Sequence, residues 1–121
     1  MKANELRIGN WYNEFGIAKQ VTPDTILRLY QIELAGKIAV DVSPIPLTEE
    51  WVLKFGFDKT SYNEFEFLKN SSFRLCGFGW TIEQYTIQFG WVELNTLSIK
   101  YVHQLQNLYF ALTGEELVCL L

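Results

Sequence analysis

Between Tyr101 and Leu117 the apolar positions recur three and four residues apart. Val102, Leu105, Leu108, Tyr109 and Leu112 therefore share one side of a helix, while His103, Gln104, Gln106 and Asn107 fall largely on the other. Gly114 follows as a residue able to take a left-handed conformation and end the helix. A second, shorter helix is predicted over Leu47 to Phe57. Thr48 is its N-cap, and Glu49 and Glu50 complement the positive end of its dipole. Leu47 and Val52 occupy the staple positions, and Gly56 is the stop, with Phe57 folding back onto Val52.

Elsewhere the pattern has a period of two. Leu6 to Tyr12 and Ile17 to Val21 read as strands, with a turn at Pro23-Asp24. Ile26 to Leu34 reads as a longer strand with Ile26, Tyr30, Ile32 and Leu34 on the face of Arg28. Lys37 to Val42 alternates Ile38, Val40 and Val42 against Lys37, Ala39 and Asp41. In the second half Phe65 and Phe67 alternate with Glu64 and Glu66. Ser71-Ser72 makes a turn, Phe73 to Cys76 continues in strand, and Gly77-Phe78-Gly79-Trp80 marks a bend or bulge. Tyr85, Ile87, Phe89 and Trp91 share a face. Val92 and Leu94 have the opposite parity, which places a register break near Gly90, and the apolar stretch Leu97 to Ile99, after Asn95, leads into the terminal helix.

Four strands within the first 43 residues predict a small, curled antiparallel sheet, SH3-like by analogy of topology alone. Ser43-Pro44-Ile45-Pro46 is extended and is the expected junction. The expected class is α+β, as one compact unit over residues 1–121, with a β-subdomain 1–43 and an α+β subdomain 44–121 as its subdivision. Both helices are expected on one face of the second sheet, through Trp51, Val52, Phe55, Leu105, Leu108 and Leu112.

Composition supports a packed core: of 121 residues, 49% are hydrophobic, among them nine Phe, six Tyr and four Trp. The net charge is −4, and its excess lies beyond residue 46, where nine acidic residues face five basic ones. Nucleic-acid binding is therefore not expected, since no basic stripe is visible; an alternative would use Arg7, Lys19, Arg28 and Lys37 on the N-terminal sheet. Cys76 and Cys119 are too few for a disulfide framework or a zinc set, and MKANELRIGN lacks the apolar run of a signal peptide. No stretch is long enough to span a bilayer. A reduced, cytoplasmic protein is expected, with no membrane association, no metal and no cofactor.

Candidate chemistry is sparse, and no catalytic residue is assigned. Cys76 and His103 form the single available thiol–imidazole pair, and an inert core thiol is the competing reading. Glu49 and Glu50 diverge by about 100° on a helix, so capping explains them better than paired catalysis. Gly77-Phe78-Gly79 lacks the third glycine and the βαβ setting of a phosphate loop. The polar group His103, Gln104, Gln106 and Asn107 is either the solvated side of an amphipathic helix or a recognition surface for a partner protein.

Three stretches carry a resemblance: MKANELRIGNWY at the start, PIPLTEEWVLKFGF (Pro44 to Phe57) and YVHQLQNLYFALTGEEL (Tyr101 to Leu117). Together they resemble a group of small uncharacterised proteins of Bacteroidetes genomes, often associated with phage, prophage or other mobile elements. The resemblance implies a genomic setting and brings no activity, cofactor or site residue with it. Three functions follow as expectations. A non-enzymatic accessory or protein-interaction module expects an exposed patch of aromatic or amide side chains. A small enzyme expects a pocket holding Cys76, His103 or convergent carboxylates. A weak nucleic-acid binder expects free cations on the N-terminal sheet.

Overall fold

The computed structural model describes residues 1–61, 65–69, 72–77, 80–94 and 98–119. Among them lie two antiparallel sheets and three α-helices, so the class is α+β. The expectations concerning Glu64, Ser71, Phe78, Gly79, Asn95 and Leu97 lie outside the described residues.

The chain divides into two compact units. The first comprises Met1–Pro46 and Tyr101–Glu116, the second Leu47–Lys100 and Leu117–Leu121. The terminal helix thus belongs with the N-terminal segment and not with residues 44–100, where the subdivision at residue 43 had placed it. Its polar side chains are the reason, since they are bonded to that segment.

The first unit opens with a 3₁₀ turn, Ala3–Glu5. Strands β1 (Trp11–Glu14) and β2 (Ile17–Gln20) form a hairpin pairing Trp11 with Gln20 and Glu14 with Ile17. The two-residue loop Phe15-Gly16 has positive φ at both positions, 51° and 78°, the sense that suits the twist of a tight hairpin. Helix α1 follows (Pro23–Leu34), then β3 (Val42–Ser43), which pairs with β1 and completes the order β2-β1-β3.

Two expectations are corrected here. Ile26 to Leu34 is helix and not strand. Thr22 caps it, exchanging bonds with Thr25 (Thr25 N to Thr22 Oγ1 3.3 Å, Thr22 N to Thr25 Oγ1 3.1 Å), and Pro23 sits in the first turn, where its missing N–H costs nothing. Lys37 to Val42 alternates as a strand would, yet only Val42–Ser43 pairs, and Ile38 and Val40 face water. The first 43 residues of this unit therefore hold three strands and a helix where four strands were expected. Ala3, Leu6, Tyr12, Val21, Leu29 and Val42 form the core of this unit.

Helix α2 (Glu49–Lys54) begins the second unit. Thr48 Oγ1 accepts from Trp51 N at 3.4 Å. Gly56 N bonds Leu53 O and Phe57 N bonds Val52 O, the two bonds of the expected Schellman stop, with Gly56 at φ 85°. Five strands follow: β4 (Asp58–Lys59), β5 (Glu66–Lys69), β6 (Phe73–Cys76), β7 (Thr81–Thr86) and β8 (Gly90–Glu93), hydrogen-bonded in sequence order. Phe67, Leu75 and Ile82 lie opposite one another across β5, β6 and β7, and all three are buried. Lys69 Nζ donates to Phe55 O at 3.1 Å and Lys59 pairs with Glu49, tying α2 to this sheet. The parity change near Gly90 proves to be a chain reversal. Tyr85 and Trp91 face each other across the hairpin, ring centroids 5.5 Å apart, while Ile87 and Phe89 stand exposed in its turn.

Helix α3 (Val102–Thr113) ends at Gly114, φ 74°, whose N–H bonds Phe110 O at 2.8 Å. Val102, Leu105 and Tyr109 are buried as the spacing predicts, whereas Leu108 and Leu112 are half-buried. Of the residues expected to form a joint helix layer, Leu105, Leu108 and Leu112 belong to the first unit and Trp51, Val52 and Phe55 to the second.

Candidate functional site

The polar side of α3 is where sequence and structure differ most. Gln106 is 2% exposed and His103 4%, so neither belongs to a solvated face. Gln106 spans the start of β1: its Oε1 accepts from Trp11 N at 2.9 Å and its Nε2 donates to Gly9 O at 3.2 Å. Asn107 Oδ1 accepts from Asn10 Nδ2 (2.9 Å) and Arg7 Nη1 (3.1 Å), and its Nδ2 donates to Glu5 O at 3.1 Å. Arg7 also pairs with Glu116 and lies over the Phe110 ring, 4.0 Å from its centroid. Asn10, itself buried, accepts from Arg7 N through Oδ1 at 2.7 Å. These amides act as a buckle that satisfies irregular backbone between the 3₁₀ turn and β1. Of the four expected contact residues, Gln106 and Asn107 are used internally. Gln104 is exposed and accepts from Tyr101 N at 3.1 Å, fastening the first turn of the helix.

His103 does something different. It lines a cleft of about 890 Å³ in the first unit, whose other walls include Lys2, Glu5, Leu29, Ile32, Glu33, Lys37, Ile38 and Pro44. Its Nδ1 is buried and has no hydrogen-bond partner. The ring lies nearly parallel to Tyr101, 8° between planes and 5.9 Å between centroids. Burial pushes the imidazole below its ordinary pKa, and the nearby Glu5 carboxylate only partly offsets this. Glu33, also on the wall, accepts from Ala3 N through Oε1 at 2.6 Å.

Cys76 and His103 belong to different units, and Cys76 has its own partner. Its thiol donates to Glu83 Oε1 at 3.1 Å on the face of the sheet where Arg74 bridges Glu66 and Glu83. Burial, reinforced by Glu83, raises the thiol to about 11. It therefore stays protonated at neutral pH and lacks the thiolate that nucleophilic catalysis requires. Burial also pushes Glu83 up, but the bonds from Arg74 and Cys76 outweigh it and hold the carboxyl below its usual range.

Three of the four cations considered for nucleic acid are neutralised by carboxylates. Arg7 pairs with Glu116, Lys19 with Glu14, and Arg28 with both Glu14 and Asp41. The Lys19 hydrogen bond lowers Glu14, and the Arg28 hydrogen bond lowers Asp41, so both carboxylates are ionised in these pairs. The same network frames an apolar tip. Phe15 N donates to Asp41 O at 2.9 Å, which sets Phe15 (80% exposed) near the loop bearing Ile38 (86%) and Val40 (95%).

The strand expected over Ile26 to Leu34 does not predict the cleft, because Leu29 and Ile32 reach it through helical spacing. Thr22-Pro23 was the signal that could have shown it. Among the described residues no helix is long and apolar enough to cross a membrane, and no group of three or more His, Cys, Asp or Glu is placed to hold a metal. Comparison with protein-family models, with characterised proteins and with solved structures finds no match.

Proposed function

We propose that this chain is a non-enzymatic accessory protein that acts by binding another protein, in the phage or mobile-element setting its sequence resemblance suggests. The observation supporting this reading is the apolar tip of the first unit. Phe15, Ile38 and Val40 stand in the open, and their neighbours in sequence Glu14 and Asp41 are ion-paired with Lys19 and Arg28. An apolar centre within a charged rim is the usual anatomy of a protein contact. The tip takes the place of the His103–Asn107 face, whose amides are engaged within the fold.

The test is affinity capture from the native host with three baits. The unaltered chain and Gln104→Ala are expected to retain the same partner, and the double substitution Phe15→Ser with Val40→Ser to lose it. All three substituted sites are exposed, so folding should be unaffected and can be checked by circular dichroism. Retention of the partner by the double variant would sink the assignment of the tip.

A further inference from the structure

We propose that the cleft of the first unit is a binding site for a small amphipathic carboxylate. Its head would sit at the first turn of α3, and its apolar body would lie along Leu29, Ile32 and Pro44. The cleft, at about 890 Å³, is within the range of small-ligand sites, and it combines apolar walls with a few polar groups.

Accounting for those polar groups identifies the ligand. Asn107, Gln104 and Glu33 are already hydrogen-bonded to backbone, whereas the side chains of His103, Lys2, Lys37 and Glu5 make no hydrogen bond or ion pair among the described residues. The twelve-residue α3 presents its positive end here, since Tyr101, His103 and Gln104 all line the cleft. His103 supplies an independent sign of a ligand: a side chain 4% exposed that lines the cleft with Nδ1 unpartnered. A neutral imidazole can carry its proton on Nδ1 and donate it to a carboxylate oxygen. Lys2 and Lys37 add two positive charges. Glu5 and Glu33 add two negative ones, which disfavours a doubly charged phosphate and suits a singly charged head.

The test uses the full chain and four probes: octanoate, octanol, octylammonium and octyl phosphate. Amide spectra are expected to show saturable shifts with octanoate at Ala39, Tyr101 and His103, together with a shift of the His103 imidazole nitrogens. Octanol should bind about tenfold more weakly, because it lacks the charge-assisted hydrogen bond. Lys2→Ala and Lys37→Ala, both at exposed positions, should each weaken octanoate by roughly threefold, as should added salt. Phe15→Ser with Val40→Ser should leave octanoate binding unchanged, since neither residue lines the cleft, although Ile38 of the tip does. Equal affinity for octanol, tighter binding of octylammonium or octyl phosphate, shifts confined to Phe15 and Val40, or no shift at millimolar octanoate would each overturn the proposal.

Discussion

Gln106 and His103 lie three residues apart on α3, both almost fully buried, and their surroundings give them opposite characters. Gln106 meets both of its hydrogen-bonding needs at Trp11 N and Gly9 O. Gln106→Ala would take the side-chain acceptor from Trp11 N and leave Gly9 O with only the Gln20 Nε2 donor at 3.2 Å, an expected loss of about 1 kcal/mol or more in urea unfolding. An unchanged midpoint would contradict the buckle. His103 is held neutral by burial, so its folded pKa lies below the unfolded value of about 6.5. The unfolded chain then takes up a proton that the folded chain refuses. Stability should fall as pH drops below about 6.5 and level off below the folded pKa. A nitrogen titration of the imidazole with a midpoint at or above 6.5 would refute this. Neither character was legible in the sequence. Both residues sit opposite an apolar stripe, and only a fold that brings residues 5–11 against that side makes it an interior.

At the scale of elements, α2 was legible from end to end because its signals are local. Thr48, Gly56 and Phe57 each bond within the helix or one turn of it. α1 carried a signal just as local in Thr22-Pro23-Asp24-Thr25, but Ile26, Tyr30, Ile32 and Leu34 also fit a period of two. Burial resolves the ambiguity, since Thr25 and Leu29, four apart, face inward while Tyr30 and Leu34 face water. Thr22→Ala should therefore cost about 0.5–2 kcal/mol and Thr22→Ser much less, measured by thermal melts followed at a helix wavelength. Equal effects would show that the cap is incidental. Lys37 to Val42 illustrates the opposite failure. Its alternation is clean, but β1 already has β2 on one side and offers only Asn13 and Glu14 to a partner on the other. Alternation alone does not provide an edge to pair with.

At the scale of the whole molecule, the first unit is discontinuous in sequence. Its two segments meet where Pro46 bridges Tyr101 and Val102 N bonds Ile45 O at 2.9 Å. Its closing contacts join residues far apart in the chain, from Trp11–Gln106 to Arg7–Glu116, at separations of 95 and 109 residues. Closing such loops is costly in chain entropy and slow. The five-stranded sheet, by contrast, is built from neighbours in sequence. With Gln106→Ala and Asn107→Ala together, the amides of Trp11 to Glu14 should exchange faster while Phe67, Leu75 and Ile82 keep their protection; unchanged protection of β1 would show that its ties to α3 are dispensable. The same feature sets a schedule during synthesis. Once Pro46 has been made, a ribosome needs roughly 3–11 s to reach the first turn of α3. Until then Trp11 N lacks the Gln106 acceptor that fastens the start of β1. Within this unit, the earlier segment is the last to be fastened.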